Sequence, residues 1–232
     1  MRSVLPIAAM LLGSLTCGPD TEHAQAERRH DAGRAEAEPG ASPAALVWKA
    51  SYAAEASGQF QAAADALDQL ASPHQQGYLA SFRRGWLMYR ANRHAEAVVA
   101  YKIAAKAEPE SIEARLALLL PLMALKRWDD VVVLSEDVLK RDPENYLALQ
   151  RLAFAKFSSE HFPEAEVVYR RLVAHYPSDV EMRSALGWVA FRMGKQREAA
   201  ALFRQVLELS SEHVSATAGL RAATAPRKKQ KF

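Results

Sequence analysis

Proline recurs at a fixed interval through this chain: Pro109, Pro143 and Pro177 stand 34 residues apart. A proline lacks the backbone donor that would continue a helix, and it restricts the residue before it to extended conformations. Helix ends on one ruler imply a structural unit repeated at that spacing. With each proline at position 32, the units run 78–111, 112–145, 146–179 and 180–213, Ser211 takes the fourth proline slot, and the frame extends back to 44–77. Position 20 then reads Ala63, Ala97, Val131, Ala165, Ala199. Position 8 reads Ser51, Gly85, Leu119, Ala153, Gly187, and position 24 reads Leu67, Tyr101, Ser135, Tyr169, Phe203. Two antiparallel helices that cross closely need small residues where their backbones meet and a bulky one to fill the adjoining groove.

Small residues at 8 and 20, a large one at 24 and proline at 32 resemble the tetratricopeptide repeat (TPR) family over residues 44–213. The resemblance implies an all-α, right-handed solenoid of about five helix-turn-helix repeats. The helix expected over "VSATAGLRAATA" (214–225) would cap the open end, and residues 226–232 leave the fold as a basic tail. Repeat 112–145 departs from the pattern with Leu119, Val131 and Ser135. It also holds Pro121 inside its first helix, which predicts a kink or a shortened helix there. "LALLLPLMAL" (116–125) is too short to span a bilayer and reads as core.

The amino terminus has a different character. "MRS" is positively charged, "VLPIAAMLLGSL" is apolar, and Cys17, the sole cysteine, follows after Thr16. This anatomy is that of an export signal, and the placement of the cysteine resembles a bacterial lipobox. The resemblance implies a signal peptide over 1–16, lipidation of Cys17, and outer-membrane anchoring facing the periplasm, with Gly18 favouring that membrane. Ser14 departs from the leucine such families favour, and "AQA" (24–26) offers a rival cleavage site for soluble periplasmic or secreted export. Residues 17–43 carry almost no large apolar side chain and read as a flexible tether.

Composition narrows the function. The net charge is +3, but Arg227, Lys228, Lys229 and Lys231 all lie at the extreme end, so the body is near neutral and a nucleic-acid partner is not expected. The seven histidines are scattered, with no metal-ligand spacing, nucleophile elbow or phosphate loop. The chain therefore reads as non-enzymatic, with no cofactor and no metal.

In the TPR family, positions 2, 5, 9, 12 and 13 of each first helix line the concave groove. Position 9 here holds Tyr52, Trp86, Leu120, Phe154 and Trp188. Position 12 adds Tyr89, Phe157 and Phe191, position 5 adds Trp48 and Phe82, and position 13 adds Arg90 and Arg192 at the rim. The resemblance makes these a ladder of aromatic anchors for an extended or helical peptide. They lack the Lys and Asn of a clamp for acidic chaperone tails. On this reading the protein is an adaptor for a partner in a cell-envelope assembly, a secretin, pilus, motility or outer-membrane machine. Two alternatives use the same rings: stacking on carbohydrate or peptidoglycan, and self-association as a homodimer. The rings can equally be core, position 12 above all.

Overall fold

The computed structural model describes residues 41–72 and 74–225. The stretch expected to be a signal peptide, Cys17, most of the expected tether and residues 226–232 lie outside these residues. Eleven α-helices follow one another among the described residues. They are α1 (Pro43–Ala56), α2 (Phe60–Ala66), α3 (Tyr78–Arg90), α4 (His94–Ala107), α5 (Ile112–Ala124), α6 (Trp128–Arg141), α7 (Tyr146–Ser158), α8 (Phe162–His175), α9 (Val180–Arg192), α10 (Gln196–Leu209) and α11 (Val214–Thr224). Each consecutive pair packs together, and first helices also touch further along the stack: α3 lies against α5, α5 against α7, and α9 against α11. The chain forms the TPR solenoid, with α11 as the terminal helix on α9 and α10. Helix α1 begins at Pro43, inside the stretch expected to be tether, because Ser42 accepts from the Ala45 amide and proline suits the first turn.

The same backbone devices recur along the stack, the turn in all five repeats and the cap and break from the second repeat on. The second residue after each first helix turns left-handed at position 15: Gly58, Asn92, Lys126, Glu160 and Gly194 have φ between 56° and 78°. The following amide bonds back to the helix's last turn, as Arg127 does to Leu122 and His161 to Lys156, satisfying carbonyls that the helix end would orphan. Position 34 caps the next first helix. Ser111, Asn145, Asp179 and His213 each accept from the amide three residues on. Before the prolines, Glu108, Asp142 and Tyr176 leave the helical region, with φ near −126°, −134° and −125°. Ser210 does the same at −143° with Ser211 in the proline slot, so the whole turn and not proline alone sets this break.

The core explains the columns. A β-carbon on Gly85 would stand 2.7 Å from the Tyr101 ring, and one on Gly187 2.7 Å from Phe203. Only glycine lets these rings lie flat against the first helix. Repeat three exchanges the bulk: Leu119 and Ser135 occupy the equivalent positions, and both are fully buried. Swapping large for small across a contact preserves volume and is the better-tolerated kind of change. The expected shortening at Pro121 is not found. Helix α5 has 13 residues, as do α3, α7 and α9, and Pro121 is buried within it. The Leu125 amide still bonds to the Pro121 carbonyl, and packing on all sides offsets the donor that proline lacks. Next door, Arg151 is 4% exposed and donates to the Leu116 carbonyl at 2.5 Å, and burial pushes its guanidinium down to about 10. Residues 116–125 are core; among the described residues no helix is long and apolar enough to cross a membrane.

Candidate functional site

The first helices place their position-5 and position-9 side chains along one face, and the outcome differs from end to end. Between α1 and α3 a cleft of about 460 Å³ is lined by Trp48, Tyr52, Leu79, Phe82, Arg83 and Trp86. Tyr52 is 57% exposed and Leu79 69%, while Trp48, Phe82 and Trp86 are half-buried. Single exposed leucines are ordinary on a protein surface, but a concave cluster of rings around one is the mark of a binding site.

The cleft's geometry is held by polar contacts beneath the rings. Glu55 accepts from the Trp86 indole at 2.9 Å and pairs with Arg83 at 2.9 Å. Arg83 also donates to the Ser51 hydroxyl at 2.9 Å, and Ser51 in turn donates to the Ala63 carbonyl. With its charge matched, the Arg83 guanidinium lies over one face of Tyr52, 3.6 Å from the centroid. Trp86 and Tyr52 are thus fixed before any guest arrives, which lowers the entropy that binding must overcome. At the far end of the cleft Arg90 is exposed and stacks over Phe60 at 4.6 Å and Trp86 at 5.2 Å. Tyr89 lies half-buried beside Trp86, 6.3 Å between ring centres.

Further along, the ladder closes. Leu120 is half-buried. Phe154 is 8% exposed, edge-on to Trp128 at 5.6 Å, and Phe157 is 4% exposed, edge-on to Phe162 at 5.6 Å. Both belong to the core and leave the candidate surface. Trp188 is half-buried: its indole donates to the Ser215 hydroxyl of α11 at 2.8 Å and its ring meets Phe203 and Phe191 edge-on. Phe191 and Arg192 are half-buried too, and Arg192 pairs with Glu160 at 2.8 Å. The open cleft is therefore lined by the first two repeats, while Leu120, Trp188, Phe191 and Arg192 stand half-buried outside it. Leu79 and Arg83 join it without having been singled out from the sequence. Leu79 sits at position 2, a groove column, whereas Arg83 sits at position 6, which carries no such signal.

Two tetratricopeptide-repeat family models match the chain, over residues 49–112 and 122–189, together more than half of it. No curated protein matches at the level of sequence. Among solved structures, MamA (41-end) from Desulfovibrio magneticus RS-1 is similar with a TM-score of 0.66 and 19% identity, covering 73% of this chain and 96% of that one. MamA AMB-1 gives 0.62 and 17%, covering 75% and 94%. YrrB, described as a TPR protein with an unusual peptide-binding site, gives 0.64 and 12%, covering 74% and 89%. At these identities the likeness is one of fold. Repeat columns, solenoid geometry and family models agree: the chain belongs to the tetratricopeptide-repeat family.

Proposed function

We propose that this protein is a non-enzymatic scaffold that docks a partner protein by seating a peptide segment in the cleft between α1 and α3. One observation carries the reading: Trp48, Tyr52, Leu79, Phe82 and Trp86 form a concave apolar surface that the described chain leaves open. Rings of this size, immobilised and partly exposed, are the residues that dominate protein interfaces. YrrB, with a similar fold, carries a peptide-binding site by its own description. The amino-terminal sequence supports an exported lipoprotein anchored through Cys17 at the outer membrane, with envelope assembly as its setting. Anchoring would raise the scaffold's effective concentration near envelope partners.

The test places a photoreactive amino acid at Tyr52 in cells and, as a control, at the exposed Val167 of α8. Crosslinking from Tyr52 to a protein, lost when Leu79→Asp is added, supports the reading. Capture of peptidoglycan fragments alone, of a second copy alone, or of equal products from Val167 overturns it. For the anchor, labelled palmitate should enter the wild-type chain, and Cys17→Ser should lose the label and leave the membrane fraction.

A further inference from the structure

The two rim arginines provide an internal control on what the cleft's guest must carry. Arg90 and Arg192 both occupy position 13, in repeats two and five. Both lie over the phenylalanine that opens the preceding repeat's second helix, Arg90 at 4.6 Å from Phe60 and Arg192 at 4.5 Å from Phe162. Each guanidinium is held on that ring, Arg90 with Trp86 as a second ring at 5.2 Å and Arg192 with Phe157 at 5.8 Å. For Arg192 that place is completed by a carboxylate, since Glu160, at the left-handed turn of repeat four, pairs with it at 2.8 Å. The equivalent turn residue of repeat one is Gly58, which has no side chain. Among the described residues no carboxylate reaches Arg90. Since Glu55 already offsets Arg83, the cleft carries one positive charge in excess, at its Trp86 end.

We propose that the cleft takes an extended peptide whose apolar side chain seats among Tyr52, Leu79, Phe82 and Trp86, and whose carboxylate pairs with Arg90 in the position Glu160 fills for Arg192. This inference rests on the cleft reading above and adds the chemical class of its guest. The apolar walls provide the anchor, and the pre-stacked guanidinium rejects guests that leave it without an acid. A side-chain carboxylate and a chain terminus share this chemistry.

The experiment uses the full chain, fluorescently labelled, against a synthetic array of octapeptides. Each contains a Trp-Leu pair flanked by Ala, Glu or Lys, with its carboxyl terminus either free or amidated. Acid-bearing peptides should bind wild type about tenfold more tightly than their Ala counterparts. That preference should vanish in Arg90→Gln. It should vanish too in Gly58→Glu, where the chain supplies the acid itself, while binding of the neutral peptides persists. Gly58 tolerates the test: a β-carbon there meets nothing within 4 Å, and Glu160 already holds the same left-handed turn. Comparing free with amidated termini tells a terminal carboxylate from a side-chain one. Neutral peptides binding as tightly as acidic ones, or a preference that survives both variants, overturns the inference and leaves the cleft reading standing. Wild type binding no peptide, or binding that survives Tyr52→Ala and Leu79→Asp, overturns both.

Discussion

Repeats one and two and repeats four and five are the same pair of units, three repeats apart, and they treat equivalent residues differently. Tyr52 and Phe154 share position 9, yet Tyr52 is 57% exposed and Phe154 8%. Trp48 and Phe82 of the first pair become Gln150 and the buried Ser184 of the second. The indole of Trp86 bonds within the groove wall, to Glu55, whereas that of Trp188 reaches Ser215 on the terminal helix. A column therefore fixes where on a helix a ring stands, and the neighbouring helices fix whether water reaches it. The carboxyl-terminal pair packs its rings on Trp128, Phe203 and α11, whereas the rings of the amino-terminal pair line an open cleft.

The sharpest test of that contrast truncates the two position-9 rings. Phe154→Ala should lower unfolding free energy by about 3–5 kcal/mol, the range for emptying an aromatic site in a core. Tyr52→Ala should stay within about 0.5 kcal/mol while abolishing binding of the Trp-Leu octapeptides. Urea unfolding followed by circular dichroism reads both, and equal costs would break the comparison. Glycines give the next largest effect. A β-carbon on Gly219 would stand 2.3 Å from the Phe203 ring, so Gly219→Val should dislodge α11 at about 1–3 kcal/mol. Gly58→Ala meets open space, and its φ of 73° sets a cost of about 1 kcal/mol. Ser215→Ala removes the partner of the Trp188 indole and should cost about 1 kcal/mol, with a red shift of tryptophan emission.

The fold was legible because a repeat writes its constraints several times over. Prolines at position 32, small residues at 8 and 20 and rings at 24 each reflect a contact that every unit must make. Of the cap column, Ser111, Asn145 and Asp179 were equally present in the sequence and readable from capping preferences, whereas His213 is not a preferred cap residue. Exposure was not legible. Phe154 and Tyr52 carry the same positional signal, and their surroundings separate them: Trp128 reaches Phe154 edge-on from the preceding repeat, whereas Tyr52 meets the Arg83 guanidinium on one face. Arg83 was missed because position 6 has no groove rule. Its place over Tyr52 depends on Glu55 and Ser51, two side chains of another helix. Pro121 was read as a local defect, since its surroundings, which hold α5 at full length, cannot be seen along the chain.

The smallest predicted effect concerns charge. In repeat four Glu166 accepts from Lys195 at 2.7 Å and from Arg170 at 2.6 Å, and Arg170 also pairs with Glu198. The equivalent residue of repeat one is the buried Ala64, so the amino-terminal pair has no such network. The Lys195 hydrogen bond, opposed by burial and aided by Arg170, holds the Glu166 carboxyl below its usual range. A folded-state value below the unfolded one gives stability that is present above the unfolded pKa, about 4.3, and fades as pH falls through the folded value. Glu166→Gln should therefore destabilise by about 0.5–1 kcal/mol at pH 7. That difference should shrink toward zero as acid protonates the wild-type carboxyl, in unfolding curves measured from pH 7 downward. A deficit that stays constant across that range would mean Glu166 acts through packing. The contrast between the two ends of the solenoid would then be one of shape alone.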